Sequence, residues 1–234
     1  MSTPQGTYES IGGEFLIPQY KISEKLQAVK AFVFDWDGVF NTGEKHANGS
    51  SSFNEIDSMG TNLLRYSHFI KNKKLPFTAV ISGEKNETAF YLCRREHFNS
   101  SYFKFSDKRI ALQRFCDTHK IKPSEVCYFF DDVLDLPIAS VAGLRIFIPR
   151  TAGLLFNNYV KQNHLADYIT GSASGNYAVR EACEMLMAAN GVFDQVIAQR
   201  MNFDDNYKQY IAARNDTPTH FFTLSNGEVS QAEL

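Results

Sequence analysis

The chain has 234 residues, 44% hydrophobic and 21% charged, with 24 Lys and Arg against 26 Asp and Glu for a formal charge of −2. At about 150 residues per domain this suits one large domain, or one domain and an appendage, and excludes a disordered chain, a collagen-like chain and a coiled coil. The near balance of charge calls for no nucleic acid and no anionic membrane as partner, and unbroken apolar runs stop at five residues, as in Val126–Phe130, too short to span a bilayer.

Residues 1–21 are polar, carry Gly and Pro, and read as an N-terminal arm; no basic start followed by an apolar stretch marks a secretory signal. Ala31–Phe34 is a continuous apolar run that stops at Asp35. The stretch from Asn41 to Ile56, rich in Gly, Ser and Asn, is expected as a β-hairpin flap inserted after this first strand. A helix is expected from Asp57 to Lys73, with apolar Met59, Leu63, Leu64 and Ile70. Phe77–Ile81 is a second strand and stops at Ser82-Gly83; a helix from Glu84 to His97 follows. The next helix, Ser106 to His119, takes Ser106 as N-cap and turns Ile110, Leu112 and Phe115 inward. Val126–Phe130 stops at Asp131-Asp132, and Leu144–Ile148 stops at Pro149. From Asn176 to Ala189, the residues Val179, Ala182, Met185, Leu186 and Ala189 form an amphipathic stripe. Asn202–Leu234 is polar and weakly patterned and is expected as a loosely attached tail, one able to lie on a neighbouring subunit.

Short apolar runs without alternation suit strands buried on both faces. Their regular exchange with helical patterns predicts an α/β fold, a Rossmann-like doubly wound parallel sheet, over residues 22–200, between the arm (1–21) and the tail (201–234). Cys93, Cys116, Cys127 and Cys183 form no CxxC and read as buried, reduced thiols.

In an open parallel sheet, ligands bind beyond the carboxyl ends of the strands. Three of the runs end there in polar groups: Asp35-Trp36-Asp37-Gly38, Ser82-Gly83, and Asp131-Asp132-Val133-Leu134-Asp135. Lys108 opens the helix between the second and third sets. A lone strand-end Asp is usually a solvated turn or a cap; the ordered set on one edge is far more specific. It is complete for phosphoryl transfer. Crowded carboxylates repel unless a cation sits among them, and Asp35 and Asp131 can hold one Mg²⁺, a hard ion that takes oxygen ligands. Asp35 can attack phosphorus, Asp37 can carry the proton, Ser82 can hydrogen-bond the phosphoryl oxygens, and Lys108 can neutralise their charge.

These segments resemble the motifs of the haloacid dehalogenase (HAD) superfamily: Phe34-Asp-Trp-Asp-Gly-Val39 motif I, Val80-Ile-Ser-Gly83 motif II, Lys108 motif III, and Asp131-Asp132 with Asp135 motif IV. Over about residues 28–200 the best match is the small capless branch of 3-deoxy-D-manno-octulosonate 8-phosphate (KDO-8-phosphate) phosphatases and their nine-carbon relatives, marked by Asp57, by Ser106-Asp-Lys-Arg-Ile-Ala-Leu112 and by Gly171 to Glu184. The resemblance implies a HAD-like fold without a large cap domain and Mg²⁺-dependent hydrolysis of a sugar acid phosphate. It also implies a cytoplasmic homotetramer in which the flap and a neighbouring subunit cover the site. It makes Asp35 the nucleophile and Asp37 the acid/base, whose main-chain carbonyl also touches the metal. Asp131 completes the metal site, Ser82, Gly83 and Lys108 hold phosphate, Asp57 lies with the substrate-binding residues, and Asp132 and Asp135 support. Glu84 stands where KDO-8-phosphate phosphatases usually carry a basic residue, and Ile56-Asp57-Ser58 where they carry Arg-Asp-Gly. Glu84 with Arg95 looks closer to the branch acting on 2-keto-3-deoxynononate 9-phosphate (KDN-9-phosphate), and both are candidate selectors of the sugar. Phe130 replaces a glycine before motif IV. A receiver-like phosphoacceptor module carries similar residues but in another chain order; a catalytically degenerate scaffold is the third reading.

Overall fold

The computed structural model describes residues 4–225 and 227–234. Its strands are β1 (Glu14–Phe15), β2 (Ala31–Phe34), β3 (Phe77–Ile81), β4 (Ser100–Phe103), β5 (Val126–Phe130), β6 (Leu144–Phe147), β7 (Tyr168–Ile169), β8 (His220–Ser225) and β9 (Glu228–Gln231). Its helices are α1 (Pro4–Glu9), α2 (Gln19–Ala28), α3 (Glu55–Asn72), α4 (Glu87–Arg95), α5 (Lys108–His119), α6 (Leu136–Ala139), α7 (Leu154–Gln162), α8 (Ala178–Ala189), α9 (Phe193–Asn202) and α10 (Asp205–Asn215).

All strands join one sheet in the order β1-β7-β6-β5-β2-β3-β4-β8-β9. Pairing is parallel from β7 to β8 and antiparallel only at the two outermost strands. Successive residues of a strand face opposite sides, and the buried side chains divide accordingly. Phe32, Phe34, Val80, Cys127, Phe129 and Ile146 pack with α2, α3, α8, α9 and α10 on one face. Ala31, Val33, Ala79, Ile81, Tyr128 and Phe130 pack with α5, α6 and α7 on the other. This is the doubly wound α/β sheet expected from the uninterrupted apolar runs. All four cysteines are buried and free. No helix among the described residues is long and apolar enough to cross a membrane.

The chain leaves β2 toward β3 and β4 and then returns to β5 on the other side of β2. The strand order therefore switches direction between β2 and β5, which opens a crevice beyond their carboxyl ends. Two helices that frame this region, α3 and α8, approach closely because Gly60 faces the backbone of Arg180; a Cβ there would lie 3.1 Å from the Arg180 Cα.

Several expected details differ. Residues 42–54 carry no strand, so the flap is a loop and not a β-hairpin. Its turn is closed by His46, whose N–H donates to Ser50 O at 2.8 Å, and by the Asn48 side chain, which accepts from the N–H and hydroxyl of Ser50. Such local bonds occupy groups that a ladder would need. Helix α5 is capped by Asp107 rather than Ser106, and Ile110 is 39% exposed, as is Met59 on α3. Helix α4 starts at Glu87, three residues later than expected, because Asn86 caps it by accepting from the N–H groups of Thr88 and Ala89.

The two ends are not appendages. Residues 4–28 form α1, β1 and α2, with β1 closing the sheet edge against β7 and Tyr8 meeting Tyr168 edge-on. The expected loose tail is corrected more strongly, since β8 pairs in parallel with β4 and β9 pairs with β8, so the sheet continues past residue 200. The polarity of this segment is misleading because its anchors are tyrosines, apolar bodies with one polar tip. Tyr207 and Tyr210 are buried against α3, and their hydroxyls donate to the side chain and main chain of Asn62 at 3.2 and 3.0 Å. Phe222 stacks on Tyr102 with ring centroids 5.0 Å apart. Replacing Tyr210 with Ala should cost about 3–5 kcal/mol of unfolding free energy, measured by denaturant titration; a loosely attached tail would lose less than about 0.5 kcal/mol.

Candidate active site

Asp35 is the first residue past β2, and Asp131 the first past β5. Because Phe34 lies opposite Phe129 in the parallel ladder, both carboxylates emerge side by side. The Asp35 N–H stays bonded to Phe129 O at 2.9 Å. Past Asp131 the chain turns sharply, with the Asp132 side chain accepting from the Val133 N–H at 2.6 Å. This turn brings Asp135 back over the strand ends. Oxygen atoms of Asp35, Asp131 and Asp135 lie within 4.8 Å of one another, and all three residues are buried.

Lys108, at the first position of α5, reaches into this cluster and is 3% exposed. Its ammonium lies 2.6 Å from Asp35 Oδ1 and 2.6 Å from Asp135 Oδ1. A cation at a helix N-terminus works against the helix dipole; here two carboxylates offset that cost. Asp135 is held further by the Tyr128 hydroxyl, which donates at 2.5 Å, and by the Asp132 N–H at 3.2 Å. Gly38 closes the other side. Its φ of +85° is a conformation suited to glycine, and a Cβ there would overlap the Asp131 carboxylate.

Burial raises Asp35 well above the ordinary carboxylate range; Asp135 and Asp131 add to the rise and Lys108 opposes it. Asp131 is pushed up to about 7, by burial first and by Asp135 second, with Arg150 opposing. Burial works against the Lys108 ammonium, but its two carboxylate partners outweigh it and raise its pKa. Fully ionised, the three carboxylates would outnumber Lys108 and Arg150, and the raised pKa values of Asp35 and Asp131 reflect that excess. Asp131 Oδ1 is buried with no hydrogen-bond partner. An all-oxygen donor set with one unpartnered carboxylate oxygen fits a hard divalent cation such as Mg²⁺.

Asp37 stands apart from the acidic cluster: its carboxylate accepts from the Ser51 hydroxyl and the Lys45 ammonium. Ser51 in turn accepts from Trp36 Nε1 at 3.1 Å and Asn86 Nδ2 at 2.7 Å. Ser82 is buried just past β3, its N–H on Tyr102 O at 2.8 Å and its hydroxyl accepting from the Glu84 N–H at 3.2 Å. Gly83 follows it, half-buried.

Of the other expected substrate contacts, Asp57 and Arg95 have partners on neighbouring elements, and Glu84 is exposed two residues past Ser82. Asp57 is fully buried and holds α3 to α8, accepting from Asn54 Nδ2 at 2.6 Å and from the Arg180 N–H at 2.8 Å. Arg95 is engaged by Glu55, Ser58 and Glu96, with its guanidinium over the Phe53 ring. Glu84 is exposed, and Glu84 and Arg95 form no ion pair with each other. Phe130 turns into the second core, parallel to Tyr128 with centroids 5.9 Å apart.

No family model matches the chain. It is similar to the 3-deoxy-D-manno-octulosonate 8-phosphate phosphatase KdsC of Escherichia coli (strain B / BL21-DE3), 28% identical over 182 residues, which cover 76% of this chain and 89% of the relative. Its fold is similar to the same phosphatase from Moraxella catarrhalis, solved with magnesium, phosphate and KDO: TM-score 0.63, 26% identity, 77% of this chain and 98% of that one. A Legionella pneumophila chain assigned to subfamily IIIA of the HAD hydrolases gives a TM-score of 0.63 at 25% identity, covering 78% of this chain and 94% of that one. The chain has the fold of the haloacid dehalogenase superfamily and is similar in sequence to phosphatases of that fold.

In this HAD-like fold the connection from β2 to α3 is a loop, with no domain inserted, so the fold is of the capless kind. Two residues at the site escape the sequence reading. Tyr128 sits inside an apolar strand and looks like core. Arg150 follows Pro149 after β6 and donates from Nε to Asp131 Oδ2 at 2.6 Å. The arginine directly after a strand-ending proline, on the same sheet edge as the motifs, is the signal that could have found it. The acidic cluster also sets a pH dependence. In the unfolded chain Asp131 gives up its proton near 4, whereas in the folded, metal-free protein it keeps it to about 7. The folded state then binds more protons, so stability falls as pH rises through that window. Thermal melts in EDTA should show this loss between about pH 4 and 7, and Mg²⁺ should remove it.

Proposed function

We propose that this chain is a divalent-metal-dependent phosphatase of a phosphorylated sugar acid, working through an aspartyl-phosphate. The observation that carries the reading is the Asp35–Lys108 ion pair at 2.6 Å, set among Asp131 and Asp135 at the switch of the sheet. Asp35, Asp131 and the main-chain carbonyl of Asp37 would hold Mg²⁺, with Asp135 beside them; when bound, the cation supplies positive charge to the phosphoryl oxygens and keeps the carboxylates ionised.

The remaining chemistry falls to the protein's own groups. An ionised Asp35 oxygen forms a bond to phosphorus as the ester P–O bond breaks, and Asp37 gives its proton to the leaving alkoxide. Asp37, now a carboxylate, takes a proton from water as that water attacks phosphorus. The second displacement frees inorganic phosphate and returns both residues to their starting states. Ser82 and the N–H of Gly83 bind phosphoryl oxygens, and Lys108 offsets the charge that develops on them. The donors that orient the Asp37 carboxylate, Ser51 and Lys45, come from the loop that stands where a cap would be inserted.

The similarity to KDO-8-phosphate phosphatases supports an eight- or nine-carbon 2-keto-3-deoxy sugar acid as the organic part. A homotetrameric assembly in the cytoplasm belongs to the same reading. Of the two candidate selectors, Glu84 is the one left exposed next to Ser82, whereas Arg95 is committed to Glu55 and Ser58.

Steady release of phosphate should be seen from at least one of KDO-8-phosphate, KDN-9-phosphate and N-acetylneuraminate 9-phosphate with Mg²⁺, and not in EDTA. Binding of Mg²⁺ without turnover of any of them would leave the scaffold reading. Asp35→Asn should lower turnover by more than about a thousandfold without lowering the melting temperature; retained activity would remove the covalent path. Glu84→Arg should lower kcat/KM for the nine-carbon substrate relative to the eight-carbon one, and an unchanged ratio would exclude Glu84 as a selector.

A further inference from the structure

Arg150 is exposed at the rim, and its guanidinium is paired with two carboxylates of the site. Nε donates to Asp131 Oδ2 at 2.6 Å, Nη2 pairs with the same oxygen, and Nη1 lies 3.1 Å from Asp132 Oδ2. A Cβ on Gly38 would crowd Arg150 Nη2 as well as the Asp131 carboxylate, so the glycine of the first motif leaves room for this pair as a unit.

The two oxygens of Asp131 therefore have different fates. Oδ2 is gripped by Arg150, while Oδ1 is buried and has no hydrogen-bond partner. A free carboxylate turns about its last bond with a broad, two-fold preference. A planar fork on one oxygen removes that freedom and aims the other. Lys108 does not serve this purpose, since its ion pairs go to Asp35 and Asp135.

We propose that Arg150 is a positioning residue for the cation site: it clamps Asp131 through Oδ2 so that Oδ1 is presented to a divalent cation shared with Asp35. The proposal rests on reading the acidic cluster as that cation's site. The competing role for Arg150 is a stand-in positive charge that an entering cation must displace. The geometry favours positioning, because the oxygen left over is the one without a partner and no bond has to break for it to be used.

The two roles predict opposite signs. Mg²⁺ binding to the metal-free, full-length chain is measured by titration calorimetry for the wild type, Arg150→Gln and Arg150→Lys. Positioning predicts an affinity about 10–100-fold weaker in Arg150→Gln. Arg150→Lys should fall between, since an ammonium keeps the charge but lacks the fork. An affinity unchanged within threefold, or tighter, in Arg150→Gln overturns the proposal. So does a lower metal-free melting temperature with unchanged Mg²⁺ affinity, which marks a purely structural contact. If Arg150→Gln does not fold, Arg150→Lys decides alone, and wild-type affinity there overturns the proposal. A wild type that binds no Mg²⁺ refutes the cation site and the proposal together. A wild type that binds Mg²⁺ but hydrolyses no sugar phosphate refutes only the proposed activity and leaves the Arg150 comparison standing.

Discussion

Everything at the carboxyl edge of the sheet is organised around the removal of four charges from water. Asp35, Asp131, Asp135 and Lys108 are all buried, and Lys108 with Arg150 still leaves one of the three carboxylates unmatched. Isolated buried charges cost several kcal/mol each unless they are paired and hydrogen-bonded. The arrangement persists because each group has a named partner: Asp35 and Asp135 share Lys108, Tyr128 adds its hydroxyl to Asp135, and Arg150 closes Asp131. The fully buried oxygen without a partner, Asp131 Oδ1, is where the arrangement asks for a further positive charge.

The fold supplies the stiffness that such crowding requires. Strands β2 and β5 are buried on both faces and lie side by side, so the residues that follow them have little freedom to separate. Helices α5 and α6 on one face, and α3 and α8 on the other, hold the strands in register through two apolar clusters.

The central strands and the motif residues are legible from sequence because strand, turn and polar side chain follow one another without interruption. Asp35, Ser82, Lys108 and Asp131 come to one edge as the apolar runs imply. What is not legible is whatever depends on a partner far along the chain. The bond that Asp57 accepts from the Arg180 N–H, on α8, is one such contact. The pairing of Arg95 with Glu55 and Ser58 is another. Ile110 falls on an inward phase of a helix whose cap lies one residue further on than the sequence suggests. The C-terminal segment reads as polar because its anchors are tyrosines and because β8 alternates instead of running apolar; only the open edge of β4 explains why it folds there.

Asn86 has two attachments at once. Its carbonyl oxygen caps α4, and its amide nitrogen reaches Ser51, which in turn grips Asp37. The first turn of a helix, the seating of the 42–54 loop and the aim of the proposed proton carrier therefore behave as a single mechanical linkage. Sequence drift in that loop is constrained at Ser51 however freely its tip varies.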